Sequence, residues 1–434
     1  MAKHLKNIRK FQEDVERCMK CGFCAYFCPI YRVEREEKGL ARGKDQLIRL
    51  AVEGEQELTE GFYQAVDHCL LCRTCVQYCP AQTRIDHAVI AARADYAAER
   101  GLPLSKRLVF QYLLPHRGLF GWALRAASWL QRLLPRGEGR FRHLPQFLSA
   151  LGAGRAIPEI APRFLRKSLS EKVTAPGAVK YRVGFFSGCA TEYLFPEIGH
   201  RMVDVLVRLG CEVAFDRRQG CCGAPVYFSG DLRTGRKMAE CNVQAFESCD
   251  YIVTGCATCS SALVEYPVYL ADTAEEQERF EGFAAKVRDF NAFVMEVLGT
   301  DPAALELDPR FRGKAVTWHD PCHLARYQGI RDEPRRILAS LDGLQFVEMP
   351  GADQCCGLGG SFSITHYELS KRIADSKVEG ILASGADAVV TACPGCMIQL
   401  RDALIRHGQS IEVLHIGELF TVRPRDAERL SQNR

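Results

Sequence analysis

From residue 181 onward, short apolar runs alternate with longer amphipathic stretches. The apolar runs predict strands at 181–186, 212–215, 251–254, 315–318, 345–348 and 388–391. The amphipathic stretches between them predict helices, for example over 196–209 and 333–341. Strands that alternate with helices indicate a mostly parallel α/β arrangement.

The first hundred residues follow a helical pattern instead. Residues 38–69 predict two helices separated by a turn at Gly54, and 88–100 predict a further helix that stops before Pro103. Residues 105–135 predict one or two more helices, whereas 136–178 are broken by Gly and Pro and predict a linker. We therefore expect a helical domain over 1–100, a helical linker or docking segment over 101–178, and two α/β units over 179–300 and 301–434.

The two α/β units repeat one cysteine pattern. In each unit a single cysteine is followed by Cys-Cys-Gly and then by Cys-x-x-Cys, and each group comes just after a predicted strand. The ten cysteines are Cys189, Cys221, Cys222, Cys256 and Cys259 in the first unit, and Cys322, Cys355, Cys356, Cys393 and Cys396 in the second. Two copies of one cofactor-binding unit explain this repetition, and vicinal disulfides at 221–222 and 355–356 are the alternative. The glycine after each pair lets the backbone turn tightly or approach an inorganic cluster.

The helical domain contains two Cys-x2-Cys-x2-Cys-x3-Cys-Pro runs, which are typical of [4Fe–4S] clusters. In two-cluster ferredoxins the fourth cysteine of each run reaches the other cluster. The expected ligand sets are therefore Cys18, Cys21, Cys24 and Cys79 for one cluster, and Cys69, Cys72, Cys75 and Cys28 for the other. Zinc is the alternative, but zinc ribbons use cysteine pairs rather than runs of four closed by proline.

Composition narrows the class of protein. The chain has 434 residues, a formal net charge of +4 and 21 cysteines. Such a small charge argues against nucleic-acid binding. The charged N-terminus lacks the apolar run of a secretory leader, so we expect a reducing, cytoplasmic location in which cysteines serve as metal ligands. The most apolar stretch, 108–134, is interrupted by arginines and predicts no membrane span.

Other residues near the cysteines are candidates for supporting roles. Lys20 and Arg73 are expected to raise cluster potentials by charge and hydrogen bonding. Three histidines next to cysteine groups are candidate ligands or proton carriers, with packing or hydrogen bonding to a ligand as the alternative: His68, His319 and His323. Asp320 and Arg326 form a polar group beside the second five-cysteine site, although the same segment suits an ordinary turn.

Two features lie outside the cysteine motifs. Three cysteines, Cys211, Cys241 and Cys249, match neither pattern and are expected to be buried structural thiols. Trp122 and Trp129 share a helix face flanked by arginines. Such a face suits docking on a partner, packing on its own domain, or peripheral contact with a membrane interface.

With these motifs in place, the chain resembles the iron–sulfur subunit of bacterial glycolate oxidase and its relatives beside FAD-linked D-lactate dehydrogenases. The resemblance runs through the paired ferredoxin motifs, the segments 39–44 and 102–107, and both CCG repeats. The C-terminal half also resembles the catalytic subunit of heterodisulfide reductase. That resemblance implies one or two further [4Fe–4S] clusters, of a non-cubane type, held by five cysteines each.

The resemblance implies a component of an oxidoreductase. Electrons would come from a partner FAD subunit that oxidises glycolate or D-lactate, and would pass to a quinone or another carrier. Reduction of a disulfide or quinone at a CCG site is the alternative, with an open iron position between Cys322 and Cys396. A scaffold whose CCG sites hold zinc or nothing is a third possibility. The catalytic residues are not predicted.

Overall fold

The computed structural model describes residues 5–133, 141–143 and 155–423. The N-terminal part is helical, as predicted. Its helices are Lys6–Arg9, Gln12–Glu16, Phe23–Phe27, Pro29–Glu34, Ala41–Glu53, Glu60–Asp67, Thr74–Gln77 and Ile85–Arg100, with a 3-10 turn at Glu37–Gly39. Gly54 ends one helix in a left-handed conformation, and Thr59 begins the next by accepting a hydrogen bond from the Phe62 amide.

The segment after this domain is helical at first. It contains Leu104–Arg107, the π-helical turn Leu108–Leu113, Arg117–Leu130 and the 3-10 turn Gln131–Leu133. The predicted linker 136–178 lies partly outside the described residues, and where it is described it contains regular structure. Strands β1 (Phe141–His143) and β2 (Ala156–Pro158) pair antiparallel, and the helix Leu165–Ser168 precedes β3 (Lys172–Val173).

The first α/β unit is a five-stranded sheet. Its strands are β3, β4 (Tyr181–Phe185), β5 (Cys211–Ala214), β6 (Tyr251–Thr254) and β7 (Val287–Asp289). Their order is β3-β5-β4-β6-β7, and every pair is parallel except β3 with β5. The predicted linker therefore supplies the antiparallel edge strand of this sheet.

The second α/β unit repeats the topology of the first. Strands β8 (Leu305–Leu307) and β13 (Phe420–Val422) pair with each other beside a four-stranded parallel sheet. That sheet consists of β9 (Ala315–Trp318), β10 (Gln345–Phe346), β11 (Ala388–Thr391) and β12 (Glu412–His415), in the order β10-β9-β11-β12. In both sheets the first parallel strand of the unit lies between the second and the third, with the fourth outside the third, so the fold supports the internal duplication.

Helices connect the strands of both units. In the first they are Gly188–Tyr193, Pro196–Arg208, Ala224–Tyr227, Leu232–Ala245, Ala257–Val264, Tyr266–Leu270, Ala274–Ala284, Phe290–Ala292, Phe293–Val297 and Pro302–Ala304. In the second they are Pro309–Phe311, Cys322–Ala325, Asp332–Ser340, Phe362–Thr365, Tyr367–Ala383, Pro394–Arg406 and Ile416–Glu418. The predicted fold class, a helical two-cluster domain followed by a duplicated α/β domain, is confirmed.

One apolar core joins the helical domain to both sheets. A second, smaller cluster of buried residues lies between the helical domain and the second unit. Within the described ranges, every helix is too short or too polar to cross a bilayer.

Candidate metal centres

The two N-terminal cysteine runs have matching backbone conformations. The residue two places after the first cysteine is left-handed in both runs, at Lys20 (φ 57°) and Leu71 (φ 53°). The residue after the second cysteine is also left-handed, at Gly22 (φ 81°) and Arg73 (φ 55°). Left-handed residues other than glycine are strained and concentrate at ligand clamps. The repeated strain turns successive thiols of each run toward one point.

The first cavity of the helical domain lies against the first run. It is lined by Cys18, Cys21, Cys24 and Cys79, and also by Cys75. The Asp45 side chain faces the same cavity next to Cys18, and burial raises the pKa of this carboxyl to about 6. Both of its carboxylate oxygens are buried and have no hydrogen-bond partner among the described residues.

The second cavity lies against the second run. It is lined by Cys28, Cys69, Cys72 and Cys75, so the fourth cysteine of the first run lies with the first three of the second run. The structure thus brings together the two predicted ligand sets, with Cys75 at the boundary between the cavities. The buried Lys44 side chain lines this second cavity.

The cysteines of the α/β units lie at the carboxyl ends of parallel strands, where such sheets bind ligands. Cys256 and Cys393 cap the N-termini of the helices Ala257–Val264 and Pro394–Arg406. A helix N-terminus favours thiolate over thiol. Contact with Cys256 holds the pKa of Cys393 well below its usual range, whereas contact with Cys393 and burial hold the pKa of Cys256 well above it. The glycines of both CCG groups, Gly223 (φ 81°) and Gly357 (φ 87°), are left-handed, as the tight turn requires. Each donates its amide to the first cysteine of its own pair, at 3.5 Å in the first unit and 3.4 Å in the second.

In the second unit, all five predicted cysteines line a cavity of about 110 Å³, together with Cys69, Cys72 and His323. Cys356 Sγ lies 3.4 Å from Cys396 Sγ. The ligand atoms of these two cysteines and of His319 all lie within 4.8 Å of one another. Both ring nitrogens of His319 otherwise lack partners among the described residues. His319 therefore faces the metal-binding side chains, as the sequence suggested.

In the first unit, four thiols form a continuous chain of contacts. The chain runs from Cys189 to Cys221, Cys222 and Cys259. The fifth cysteine, Cys256, contacts Cys259 and also Cys393 of the second unit. Thr258 Oγ1 lies 3.5 Å from Cys393 Sγ at the same place. The two five-cysteine sites therefore meet where Cys256 touches Cys393.

The helical domain meets the second unit at another pair of cysteines. Cys72 contacts Cys355, and the two share a small apolar cluster. Contact with Cys355 lowers the pKa of Cys72 to about 6 in spite of burial, and Arg326 adds to this effect. Arg326 also donates to Cys322 Sγ at 3.4 Å and pairs with Asp353 at 3.1 Å. The predicted polar group beside the second five-cysteine site thus includes Arg326.

The side chains of Asp320 and His323 form hydrogen bonds with residues other than the cysteines. Asp320 pairs with Arg335 at 2.8 Å and accepts from the Trp318 indole, so it orders the chain that leads to Cys322. His323 lines the cavity, stacks on Tyr327 and shares a 2.7 Å hydrogen bond with Ser261. Burial lowers the pKa of His323 to about 4, so the ring is neutral at physiological pH.

The contacts of His68 agree with the packing alternative, because its ring stacks on His366 and its Nε2 lies 3.6 Å from Glu34.

A buried ionic group that sequence analysis missed ties the helical domain to both α/β units. Arg73 donates to Asp86 at 2.6 Å and forms a short ion pair with Glu265. Its guanidinium carbon lies 3.4 Å from the centre of the Tyr327 ring, whose hydroxyl donates to the Leu71 carbonyl at 2.7 Å. Arg73, which was predicted to tune a cluster, lines the second cavity, and its charge is also paired with these two carboxylates. Arg93, also missed, is buried, and its hydrogen-bond acceptors within the described residues are all backbone carbonyls, among them that of Cys69.

All 21 cysteines, each within the described residues, are free thiols, so the vicinal pairs are not disulfide-linked in the structure. The prediction of three buried structural thiols is right for Cys211 and Cys249 and wrong for Cys241, which is exposed. Cys241 is on the outer side of the helix Leu232–Ala245.

The donor groups fit iron–sulfur clusters. In each site four or five thiols lie close together on loops with tight turns. Thiolate sulfur is the protein ligand of [4Fe–4S] clusters. Most of these thiols are buried, and burial raises the pKa of Cys28 to about 11. Such thiols stay protonated when no metal is bound and lose their protons when a metal binds. The folding of these loops is therefore coupled to cofactor binding. The fold and these sites define an iron–sulfur electron-transfer protein.

Comparison with known proteins agrees. A 4Fe-4S dicluster domain matches residues 14–83, and a cysteine-rich domain matches twice, at 183–264 and 316–401. The "Probable glycolate oxidase iron-sulfur subunit" of Bacillus subtilis (strain 168) is 31% identical over 96% of this chain and 97% of its own. The chain belongs to this family of glycolate oxidase iron–sulfur subunits and is therefore a component of an oxidoreductase.

Other relatives are shorter. "Lactate utilization protein A" of Geobacillus sp. (strain WCH70) is 33% identical over 56% of this chain and 100% of its own, and that of Bacillus subtilis (strain 168) is 32% identical over the same shares. A solved structure of a hypothetical protein from Helicobacter pylori covers 100% of this chain and 74% of its own at 10% identity, with a TM-score of 0.40. That score is too low to support a comparison of folds.

Proposed function

We propose that this chain is the iron–sulfur subunit of a flavin-dependent 2-hydroxy-acid dehydrogenase that acts on glycolate or D-lactate. Electrons enter from a partner subunit that binds FAD and leave for a quinone or another carrier. The names of the relatives that oxidise glycolate or use lactate support this choice of substrate.

The observation that carries the proposal is an unbroken series of neighbouring thiol sites. The two cavities of the helical domain share Cys75. The second of them joins the second five-cysteine site where Cys72 contacts Cys355. That site joins the first five-cysteine site where Cys256 contacts Cys393. A one-electron path needs cofactors placed close together, and this series supplies positions for four.

We propose the same ligands as the sequence predicts. Cys18, Cys21, Cys24 and Cys79 would hold one cluster, and Cys28, Cys69, Cys72 and Cys75 the second. The five cysteines of each α/β unit would hold one further cluster each. A chain with all four clusters contains about sixteen irons, whereas ferredoxin clusters alone account for about eight.

An apolar patch beside the first site suits the electron-donating partner. Cys21 is the exposed member of its ligand set. Met19 and Phe23 line the same cavity as Cys21 and are 66% and 55% exposed, and Tyr26, on the same helix as Phe23, is 71% exposed. Exposed apolar side chains mark interaction surfaces when they lie together. We propose that the flavoprotein docks over this patch, which brings its flavin close to the first cluster.

A second apolar surface suits the membrane that contains a quinone. The helix Arg117–Leu130 buries none of its residues, and Trp122 and Trp129 are 69% and 68% exposed. Packing on the described part of the chain is therefore excluded for these two tryptophans. The basic, aromatic character of this face supports peripheral contact with a cytoplasmic membrane surface. Sedimentation with anionic vesicles tests it, and the Trp122→Ser, Trp129→Ser variant should no longer sediment.

One observation favours the alternative function, reduction of a small acceptor at the second five-cysteine site. The cavity there continues past the cysteines to Leu71, Phe228 and His323, which leaves apolar space beside the metal-binding groups. Purified chain assayed with reduced viologen and a panel of disulfides would turn over under this alternative. The same assay without turnover favours the electron-transfer role.

The test of the main proposal is anaerobic purification of the native complex. We expect a flavoprotein to co-purify, about sixteen irons per chain, and reduction of the clusters when glycolate or D-lactate is added. Pure chain without a flavoprotein, or clusters that stay oxidised with both substrates, would contradict the proposal.

A further inference from the structure

Two consecutive residues of opposite charge lie between the two N-terminal sites. Lys44 and Asp45 are on the helix Ala41–Glu53 and are 2% and 1% exposed. Consecutive helix residues point about 100° apart, so one helix presents a side chain to each cavity. Lys44 lines the cavity of Cys28, Cys69, Cys72 and Cys75, and Asp45 lines that of Cys18, Cys21, Cys24 and Cys79.

The Lys44 ammonium has no carboxylate partner among the described residues. It donates to the carbonyl of Lys38 at 3.3 Å and to that of Gly39 in a shorter bond. The other groups that attract its charge are the ligand cysteines Cys28, Cys69 and Cys75 and the carboxyl group of Glu34.

Arg93 adds a second buried cation next to Cys69, and in the described part of the chain its acceptors are again backbone carbonyls. Asp86 also lines this cavity, but its charge is offset by Arg73 at 2.6 Å and Arg84 at 3.1 Å. Among the described residues of the second site, the buried cations without a carboxylate partner are thus Lys44 and Arg93.

The first site has the opposite character. The Asp45 oxygens have no hydrogen-bond partner among the described residues. Arg42, which also lines this cavity, forms a bidentate pair with Glu37 that offsets its charge. Lys20 and Arg49 also act on Asp45, but both lie at the surface, where solvent screens them, and Arg49 pairs with Glu53. The buried, unscreened charge at the first site is thus the carboxylate.

We propose that Lys44 and Asp45 separate the reduction potentials of the two N-terminal clusters, with the cluster at Lys44 the higher. Reduction adds one negative charge, which a buried cation stabilises and a buried anion opposes. An electron that leaves a reduced flavin at the exposed first site therefore moves downhill to the second site, which adjoins the α/β units. The direction of flow rests on the proposed function, whereas the difference in potential does not.

The test is a potentiometric titration of the full-length, iron-loaded chain at about pH 8, followed by the EPR signals of the reduced ferredoxin-type clusters. Lys44→Met should lower the higher of the two potentials, and Asp45→Asn should raise the lower one. Each shift should correspond to at least a tenfold change in the one-electron equilibrium, about 59 mV. The double variant should bring the two potentials together.

The control is Arg208→Met, which removes a charge of the same sign from a surface helix of the first α/β unit, where Arg208 pairs with the exposed Asp204 at 2.7 Å. It should move neither potential. Iron and sulfide analysis confirms that each variant is loaded, and Lys44→Gln replaces Lys44→Met if the latter loses its cluster. The proposal is overturned for a residue if its iron-loaded variant leaves the potential of the neighbouring cluster within the range of the control. It is also overturned if the variant shifts the potentials of both clusters equally. Because no flavoprotein is present, failure of the proposed function would leave this result unchanged.

Discussion

The helical domain and the α/β units hold cysteines in two different ways. In the helical domain the ligands are two or three residues apart, and strained left-handed residues such as Lys20 and Leu71 turn them inward. In the α/β units more than thirty residues separate the cysteine groups, and parallel strands bring them together at the carboxyl ends of the strands. Local backbone conformation thus builds the first kind of site, and sheet topology builds the second.

Removal of iron should show the largest difference in stability between the helical domain and the α/β units. The N-terminal loops depend on the metal for their compact conformation, because metal binding there is coupled to folding. The sheets have buried strands of their own, such as β6 and β11. In chelated protein, hydrogen exchange should become fast throughout residues 14–83, whereas the strands should stay protected. Equal loss of protection in the two regions would contradict the comparison.

The buried ion pairs of Arg73 connect the two regions. Arg73→Met leaves Asp86 and Glu265 buried without this cation, which should cost about 3–5 kcal/mol of unfolding free energy. Chemical denaturation of the anaerobic protein measures this loss. Arg208→Met, which breaks an exposed pair with Asp204, serves as the control and should have no more than about a tenth of the effect. A loss equal to that of the control would show that the pairs do not hold the regions together.

Glycine replacements compare the two kinds of turn. A Cβ at Gly357 would lie 2.7 Å from the Ser370 carbonyl oxygen, and the residue is left-handed, so Gly357→Ala should cost about 2–4 kcal/mol. At Gly22 the Cβ would meet the flexible end of Arg42, so Gly22→Ala should cost only about 1–2 kcal/mol. Thermal denaturation under anaerobic conditions ranks the two variants. The reverse order would mean that the N-terminal loop is the more rigid of the two.

Glu265 should make the contact between the regions pH-dependent. Burial raises its pKa from 4.5 to about 7, although Arg73 acts in the opposite direction. The folded state therefore binds the proton more tightly than the unfolded chain, and the resulting stability is complete below pH 4.5 and is lost as the pH rises through about 7. The melting temperature of the unmodified protein should fall between about pH 5 and about pH 8. The melting temperature of the Glu265→Gln variant should fall less over the same range. Parallel profiles would assign the pH dependence to other groups.

The smallest expected effect concerns the exposed apolar patch of the helical domain. Phe23→Glu should weaken binding of the flavoprotein about tenfold, equivalent to about 1.4 kcal/mol, because it places a charge in the apolar contact. Leu382→Glu, an exposed apolar residue of the second unit, is the control. Titration calorimetry with the purified partner measures both. Equal affinities would place the docking surface elsewhere.

Much of the fold follows from local pattern. The strands predicted at 251–254, 315–318 and 388–391 match β6, β9 and β11, because each is a buried apolar run at the centre of a sheet. Strands β7 and β12 were not predicted, since they lie at sheet edges and carry charged residues such as Arg288 and Glu412. Lys44 and Asp45 were also missed, because charged residues within an amphipathic helix usually belong to its solvated face.

The cysteine spacing alone determined the class of cofactor, because the thiols of each run or repeat must reach one metal cluster. Only the tertiary structure decided which sites are neighbours. Cys72 lies beside Cys355, and Cys256 beside Cys393, through packing between segments far apart in the chain. The same packing buries Lys44 at one site and Asp45 at the other, and burial is what gives a charge its influence on a nearby redox centre.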